Sequence, residues 1–263
     1  MDVYWLEQGE ADVARNDDWF SAGEKACLDA KRFPKRRADW RLGRWTAKRA
    51  LAVYLDRPGD LPSLAHIEIC PAPTGAPEAF LADQPAGVTI SLSHREGTAL
   101  CAIAAPDAQL GCDLERVEPR SEAFVADYFT DEEQALIAGL PATDRPQLLA
   151  LLWSAKESVL KALHEGLRRD TRSVTVSLGG PAEGSEVGGT PRGGPALSLP
   201  QDEAGWHPLH VRSTDGQLFH GWWRQTGGLL RTVVSAPPPT MPIALRIPES
   251  RTRCVQLGSA VSG

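Results

Sequence analysis

The chain lacks most of the features that would place it outside a reducing aqueous compartment. Its five cysteines, Cys27, Cys70, Cys101, Cys112 and Cys254, are odd in number and form no C-x-x-C pair. That excludes a disulfide framework and a zinc knuckle and leaves them as small buried hydrophobes. No apolar run approaches the ~20 residues of a membrane-spanning helix; that at 148–153 covers six residues and that at 99–105 seven. The first residues, MDVYWLEQGEADV, hold no basic segment followed by an apolar one. The expectation is a cytoplasmic protein, unprocessed and without a membrane partner. An excess of positive charge is also missing: 28 Lys and Arg stand against 34 Asp and Glu, a net charge of −6, which argues against a protein that coats nucleic acid through bulk charge. No internal repeat is visible.

With 263 residues, 42% hydrophobic and 24% charged, the chain has material for one large domain or two small ones. Its positive charge is concentrated. Residues 31–49, KRFPKRRADWRLGRWTAKR, hold nine basic residues against the single Asp39. Read as a helix over about 35–55, they place Arg37, Arg41, Arg44 and Lys48 beside an apolar stripe of Trp40, Ala47, Leu51 and Tyr54. A short strand is expected at 67–70, a Pro/Gly loop over 71–80, and three strands in GVTISLSH, TALCAIAAP and LGCDLERV. Thr130 and Glu133 read as a capping box. Leu148, Leu152, Ala155, Val159 and Leu163 give a long helix over about 146–164, with Gly166 placed to end it. Beyond a strand at SVTVSL, residues 179–205 contain eight Gly and four Pro and read as a flexible loop. Strands in LHVRST, LFHGWWRQ and LLRTVVSA follow, with Trp222 and Trp223 of the second as sheet core and edge. The run PPPTMP opens a tail with little structure of its own.

Two segments carry candidate chemistry. In Gly111-Cys112-Asp113-Leu114-Glu115, strand alternation puts Asp113 and Glu115 on one face. Paired carboxylates suit a hard cation such as Mg²⁺, which takes one or two carboxylates and completes its shell with water and substrate phosphates, although the same pattern fits a solvated strand face. In Trp153-Ser154-Ala155-Lys156-Glu157-Ser158-Val159-Leu160-Lys161-Ala162, Glu157 and Lys161 are i, i+4 neighbours. They read either as a surface salt bridge or as a carboxylate and an ammonium presented together to a metal and its phosphate.

The sequence GCDLE, followed 42 residues later by the glutamate of WSAKESVLKA, resembles the two signature motifs of the 4′-phosphopantetheinyl transferase superfamily, G-x-D-x-E and W-x-x-K-E-x-x-x-K-A. ISLSH looks like a third family motif, and the basic helix like the family's N-terminal Arg-rich helix. The order of motifs and the chain length match the surfactin-type, two-half class. The resemblance implies an α+β fold, a pseudo-dimer of two similar halves. Each half is a long helix packed on a small antiparallel sheet, and the active site lies in the cleft between them. Residues 1–107 would form the first half, 108–236 the second, and 237–263 a tail. It also implies an enzyme that transfers the phosphopantetheine arm of coenzyme A to a serine of an acyl or peptidyl carrier protein, releasing adenosine 3′,5′-bisphosphate, and acts as a monomer.

By the same resemblance Asp113, Glu115 and Glu157 would hold Mg²⁺. Glu157, or a water held by the carboxylates, would be the base, with Lys161 at the leaving group. Ser93 and His94 would contact the 3′-phosphate side of coenzyme A. The chain departs from the family pattern at Ser91, where asparagine is common, and at Ala76, where a Gly-Lys-Pro sequence often supplies a phosphate-binding lysine. Arg37, Arg44 and Lys48 are then the candidate cofactor cations, with Arg95 as a substitute for the missing lysine. Arg116, Arg120, Phe124 and Val125 fall in the region that would meet an acidic carrier protein. Two other readings compete: a nucleic-acid-binding module using residues 31–49 with Trp40 and Trp45 among the cations, and a carrier-protein binder without catalysis.

Overall fold

A computed structural model describes residues 1–178, Leu199 and residues 205–248 of the chain. The N-terminal part runs β1 (Val3–Gly9), α1 (Ala22–Asp29), α2 (Pro34–Tyr54), α3 (Leu61–Leu64), β2 (Ile67–Pro71), β3 (Pro77–Leu81), β4 (Gln84–Pro85), β5 (Thr89–Arg95) and β6 (Thr98–Ala104). The C-terminal part runs β7 (Gln109–Arg116), α4 (Glu122–Tyr128), α5 (Asp131–Gly139), α6 (Arg145–Ala162), β8 (Val174–Leu178), β9 (His207–Ser213), β10 (Leu218–Thr226) and β11 (Leu229–Ala236), before a last short strand, β12 (Ile243–Ala244). The fold is mixed α+β. Strands order β12-β1-β6-β5 in one sheet, β7-β11-β10-β9-β8 in a second and β2-β3-β4 in a third. Every pairing is antiparallel except β12 on β1.

Each long helix forms where the periodicity predicts it and buries one face on its own sheet. α2 opens with a proline in its first turn, where a missing N–H costs nothing. It packs Trp45, Ala47 and Leu51 against Leu6, Ile67, Ile90 and Ile103. α6 packs Leu148, Leu152, Ala155 and Val159 against Val211, Phe219, Leu230 and Val234. It stops where His164 and Gly166 take left-handed φ values of 57° and 54°. A third cluster, Val3, Leu100, Ala102, Leu110, Cys112 and Val233, joins the two large sheets. Glu7 on β1 and Arg231 on β11 bridge them with two hydrogen bonds of 2.6 and 2.7 Å.

The two parts share a buried device that corrects the expectation of no internal repeat. Trp45-Thr46-Ala47-Lys48 on α2 answers to Trp153-Ser154-Ala155-Lys156 on α6, and both lysines are fully buried. Lys48 donates to the carbonyls of Trp19 and Leu64 and pairs with Glu24. Lys156 donates to the carbonyls of Thr171 and Val174 and pairs with Glu133 at 2.8 Å. Glu24 and Glu133 each close a capping box on the preceding short helix, with Ser21 and Thr130. Each also accepts from a backbone N–H of the first strand beyond the long helix, Ile69 or Val176. A buried ammonium persists only when its charge and its N–H groups are all met, and both copies meet them in the same way. Strand order matches as well: β1 lies beside β6 and β6 beside β5, as β7 lies beside β11 and β11 beside β10.

Two local expectations change. The Pro/Gly stretch 71–80 turns at Thr74-Gly75 and returns as β3, so its second part is a strand. The tail is not structureless as far as Pro248: β12 adds to β1, Leu245 N–H donates to Trp5 O at 2.8 Å, and Trp222 Nε1 reaches Pro239 O. Trp223 lies in the core. The loop expected over 179–205 lies, except for Leu199 and Gly205, outside the described residues. Among the described cysteines Cys101 and Cys112 are buried, whereas Cys70 is half-buried and Cys27 exposed. Among the described residues no helix is long and apolar enough to cross a membrane.

Candidate active site

β7 lies between the two parts of the molecule. On one side it pairs with β11; on the other it meets β5 through serine side chains instead of a backbone ladder. Ser91 Oγ accepts from Cys112 N–H at 2.9 Å, and Ser93 Oγ accepts from Leu114 N–H at 3.2 Å. Alternation sends Leu110 and Cys112 into the cluster between the sheets and turns Gly111, Asp113 and Glu115 toward α6. The approach to the helix is close enough to require glycine: a Cβ at Gly111 would stand 1.7 Å from Ser158 O. A buried hydroxyl group of Ser154, Ser158 and Thr232, with bonds of 2.7 and 2.8 Å, holds α6 against β11 at the same level.

The predicted carboxylates are brought together there. Lys161 Nζ lies 2.7 Å from Asp113 Oδ1 and donates to Cys112 O at 3.0 Å. Ser93 Oγ donates to the same Asp113 oxygen at 2.9 Å. Glu115 accepts from Trp153 Nε1 at 3.2 Å and from Arg120 at 3.0 Å. Glu157, one turn of α6 before Lys161, feels both carboxylates: burial, and then the Asp113 charge, push its pKa up to about 7, with Lys161 opposing. Burial and Asp113 also raise the Glu115 pKa, against Arg95 and Arg120. Burial lowers the Lys161 pKa, but the charge and hydrogen bond of Asp113, with Cys112 and Glu157, together outweigh it and the pKa is raised, so the ammonium is held charged.

Among the described residues no three Asp, Glu, His or Cys side chains are already gathered as a metal cage, because Asp113 and Glu115 are turned to Lys161 and Arg120. The donor set nevertheless fits a hard divalent cation. Asp113 Oδ2 is buried without a hydrogen-bond partner, and carboxylate oxygens are the donors such a cation takes.

The expected cofactor cations fare differently. Lys48 is corrected: fully buried and bound to two carbonyls and Glu24, it is part of the core of α2 and has no exposed N–H to offer a phosphate. Its counterpart shows that the lysine preceding Glu157 is structural too. Ser93, expected at the cofactor, spends its hydroxyl on β7 and orients Asp113 instead. Arg44 is largely buried, over the Trp40 ring and 3.9 Å from Glu24. Arg37 remains at the surface, donating to Leu28 O. His94 is exposed at the end of β5, near Asp39 and Lys35 of α2. Arg95 is held by Glu118 at 3.1 Å and sits 3.7 Å from Glu115. Arg116 pairs with Glu96, while Arg120 covers the Phe124 ring, which packs on Trp153.

Beside the carboxylates a cleft of about 420 Å³ opens between residues 74–77 and β5 on one side and the end of α6 on the other, with Lys161, His164 and Arg168 in its walls. Arg168 was not legible as a site residue, since it lies outside every motif. Only the fold carries it across to Thr74 O, 3.1 Å away.

Comparison with known proteins agrees with this geometry. Residues 109–217 match the family model of the 4′-phosphopantetheinyl transferase superfamily. Over 169 residues, 62% of this chain and 68% of the relative, the sequence is 29% identical to the 4′-phosphopantetheinyl transferase HetI of Nostoc sp. (strain PCC 7120). The matched region begins on β7 and contains Asp113, Glu115, Glu157 and Lys161, so the similarity to the 4′-phosphopantetheinyl transferase superfamily falls on the residues that build this site.

Proposed function

We propose that the protein transfers the phosphopantetheine arm of coenzyme A to a serine hydroxyl of an apo acyl or peptidyl carrier protein, giving the holo carrier and adenosine 3′,5′-bisphosphate. The observation that carries this reading is the convergence of Asp113, Glu115, Glu157 and Lys161 from one strand and one helix, with a buried carboxylate oxygen left unpaired beside an open cleft. The matching lysine pins and strand orders support a two-half, surfactin-type monomer in which a single chain builds the whole site.

Asp113, Glu115 and Glu157 would hold Mg²⁺, which neutralises charge on the diphosphate and orients it. The serine oxygen attacks the phosphorus that carries the pantetheine arm, and the bond from that phosphorus to the oxygen of the adenosine bisphosphate breaks. Glu157, or a water held by the carboxylates, would accept the serine proton. Lys161, fixed by Asp113 and Cys112 O, gives an N–H to the departing phosphate oxygen. Ser93 holds Asp113 in place. The basic helix is poorly suited to a nucleic-acid surface, since Lys35, Arg41 and Lys48 are already paired with Asp39, Asp17 and Glu24.

The test is to incubate apo carrier proteins of the fatty-acid, polyketide and nonribosomal-peptide types with coenzyme A, Mg²⁺ and the protein, and to follow each carrier by mass spectrometry. A gain of one phosphopantetheine arm is expected. Absence of that gain on every carrier would overturn the reading.

A further inference from the structure

We propose that a cavity between α2 and the end of the described chain binds a small monocarboxylate with a short apolar body. The cavity, of about 560 Å³, lies where Trp45, Arg49 and Val53, at i, i+4 and i+8 on one face of α2, meet the loop after that helix, with Ile247 and Pro248 also in its walls. Trp45 is only 6% exposed, yet its Nε1 has no hydrogen-bond partner. The buried Nε of Arg49 has none either, and the guanidinium lies over the Trp45 ring. Arg49 Nη1 donates to Gly59 O at 2.6 Å. A Cβ at Gly59 would stand 2.9 Å from that nitrogen, so the glycine leaves the guanidinium its place. Among the described residues Arg49 pairs with no carboxylate, and burial lowers its pKa. Buried donors left open in this way cost stability until an acceptor meets them.

The other long helix shows what the open indole N–H takes. Trp153 stands on α6 where Trp45 stands on α2, counted from the buried lysines, and its Nε1 donates to a carboxylate oxygen of Glu115 at 3.2 Å. No described residue supplies that oxygen to Trp45. With Nη1 spent on Gly59, the Nε–Nη2 edge of Arg49 remains, and a guanidinium edge takes both oxygens of a carboxylate in parallel. Charge favours a monoanion. Arg49 and Arg57 are matched in number by Asp56 and Asp60 among the lining residues, so a dianion gains little, whereas one carboxylate is met by Arg49. Asp60 is already spent on Ser63, accepting from its N–H at 3.0 Å and its Oγ at 2.8 Å. Val53, Ile247 and Pro248 offer the rest of the ligand apolar contact.

The experiment is calorimetric titration of the whole protein with hexanoate, hexan-1-ol and inorganic phosphate. The indole N–H signals are followed by NMR, that of Trp45 being assigned through W45F. Hexanoate is expected to bind with a Kd of about 1 mM or tighter and to move the Trp45 signal. Hexan-1-ol and phosphate should bind at least about tenfold more weakly, and R49Q should lose about tenfold or more of the hexanoate affinity. The comparison of probes on the wild type needs no variant to fold. Hexan-1-ol binding as tightly as hexanoate would reveal a merely apolar cavity, and phosphate binding as tightly a general anion site. Either overturns the assignment, as do absence of hexanoate binding and unchanged binding by a folded R49Q. Binding by E249Q but not by the wild type would make the chain's own Glu249, next after Pro248, the occupant, and overturns it too. No arm uses coenzyme A or a carrier protein, so the outcome is independent of the transferase reading.

Discussion

Replacing Lys48 by methionine separates two roles that its sequence context leaves confounded. As a cofactor cation its loss would raise KM for coenzyme A and leave the fold alone. As the buried pin of α2 its loss leaves Glu24 in the interior with Arg44, 3.9 Å away, in place of a direct ion pair, and takes from the carbonyls of Trp19 and Leu64 their ammonium donor. Breaking one partner out of a buried ion pair costs about 3–5 kcal/mol, a large part of the roughly 5–15 kcal/mol that holds a protein folded. At about 2–4 °C per kcal/mol for a chain of this size, the melting temperature should fall by about 10 °C. The double variant Lys48→Met/Glu24→Gln removes the stranded charge while keeping an acceptor for Ile69 N–H, and should recover at least ~1 kcal/mol. Urea or thermal denaturation of the two variants, beside KM for coenzyme A under folded conditions, reads both roles. A Lys48→Met protein that melts with the wild type but binds coenzyme A many-fold more weakly would refute the structural assignment.

Two further outcomes follow from the site. Gly111→Ala forces a Cβ to within 1.7 Å of Ser158 O, so α6 must move off β7. Stability should drop by about 3 kcal/mol or more, as for severe overpacking, and transfer should be lost with it; a wild-type denaturation midpoint would contradict the close approach. Glu157→Gln should abolish transfer yet stabilise the protein in the absence of divalent metal. Because the folded state raises the Glu157 pKa from 4.5 to about 7, it binds the proton more tightly than the unfolded chain. Its contribution to stability is therefore fully present below about pH 4.5 and is lost as pH rises to about 7. The melting temperature of the glutamine variant should exceed that of the wild type at pH 8 and match it near pH 4.5; equal melting at both would show that the carboxylates do not repel.

Much of this was legible in the sequence where local signals and tertiary structure agree. The helical period of 148–163, the Thr130 capping box and the strand alternation around Asp113 each point to the element that forms. What escaped depends on contacts distant in sequence. The helix α1 carries the same capping box, in Ser21 and Glu24, but with little apolar periodicity of its own. β12 is two residues long and exists only because β1 offers it an open edge. Lys48 reads as one more cation on a cationic face, because charge patterning says nothing of which way a side chain points. The recurrence of Trp-x-Ala-Lys was present to be seen, yet so few positions coincide that only the shared burial of the two lysines gives it meaning.

The lysine pins have a consequence for how such a chain can change. Arg49 and Val53 occupy on α2 the places that Glu157 and Lys161 occupy on α6, counted from the shared lysine. In an assembly of identical subunits every substitution is made in all copies at once, and a helix bearing the reactive acid cannot be altered in one place alone. Here the lysine pin is written twice in a single chain, and each writing can be edited separately. One is followed by Glu157 and Lys161, and the other, followed by Arg49 and Val53, is free to change without them.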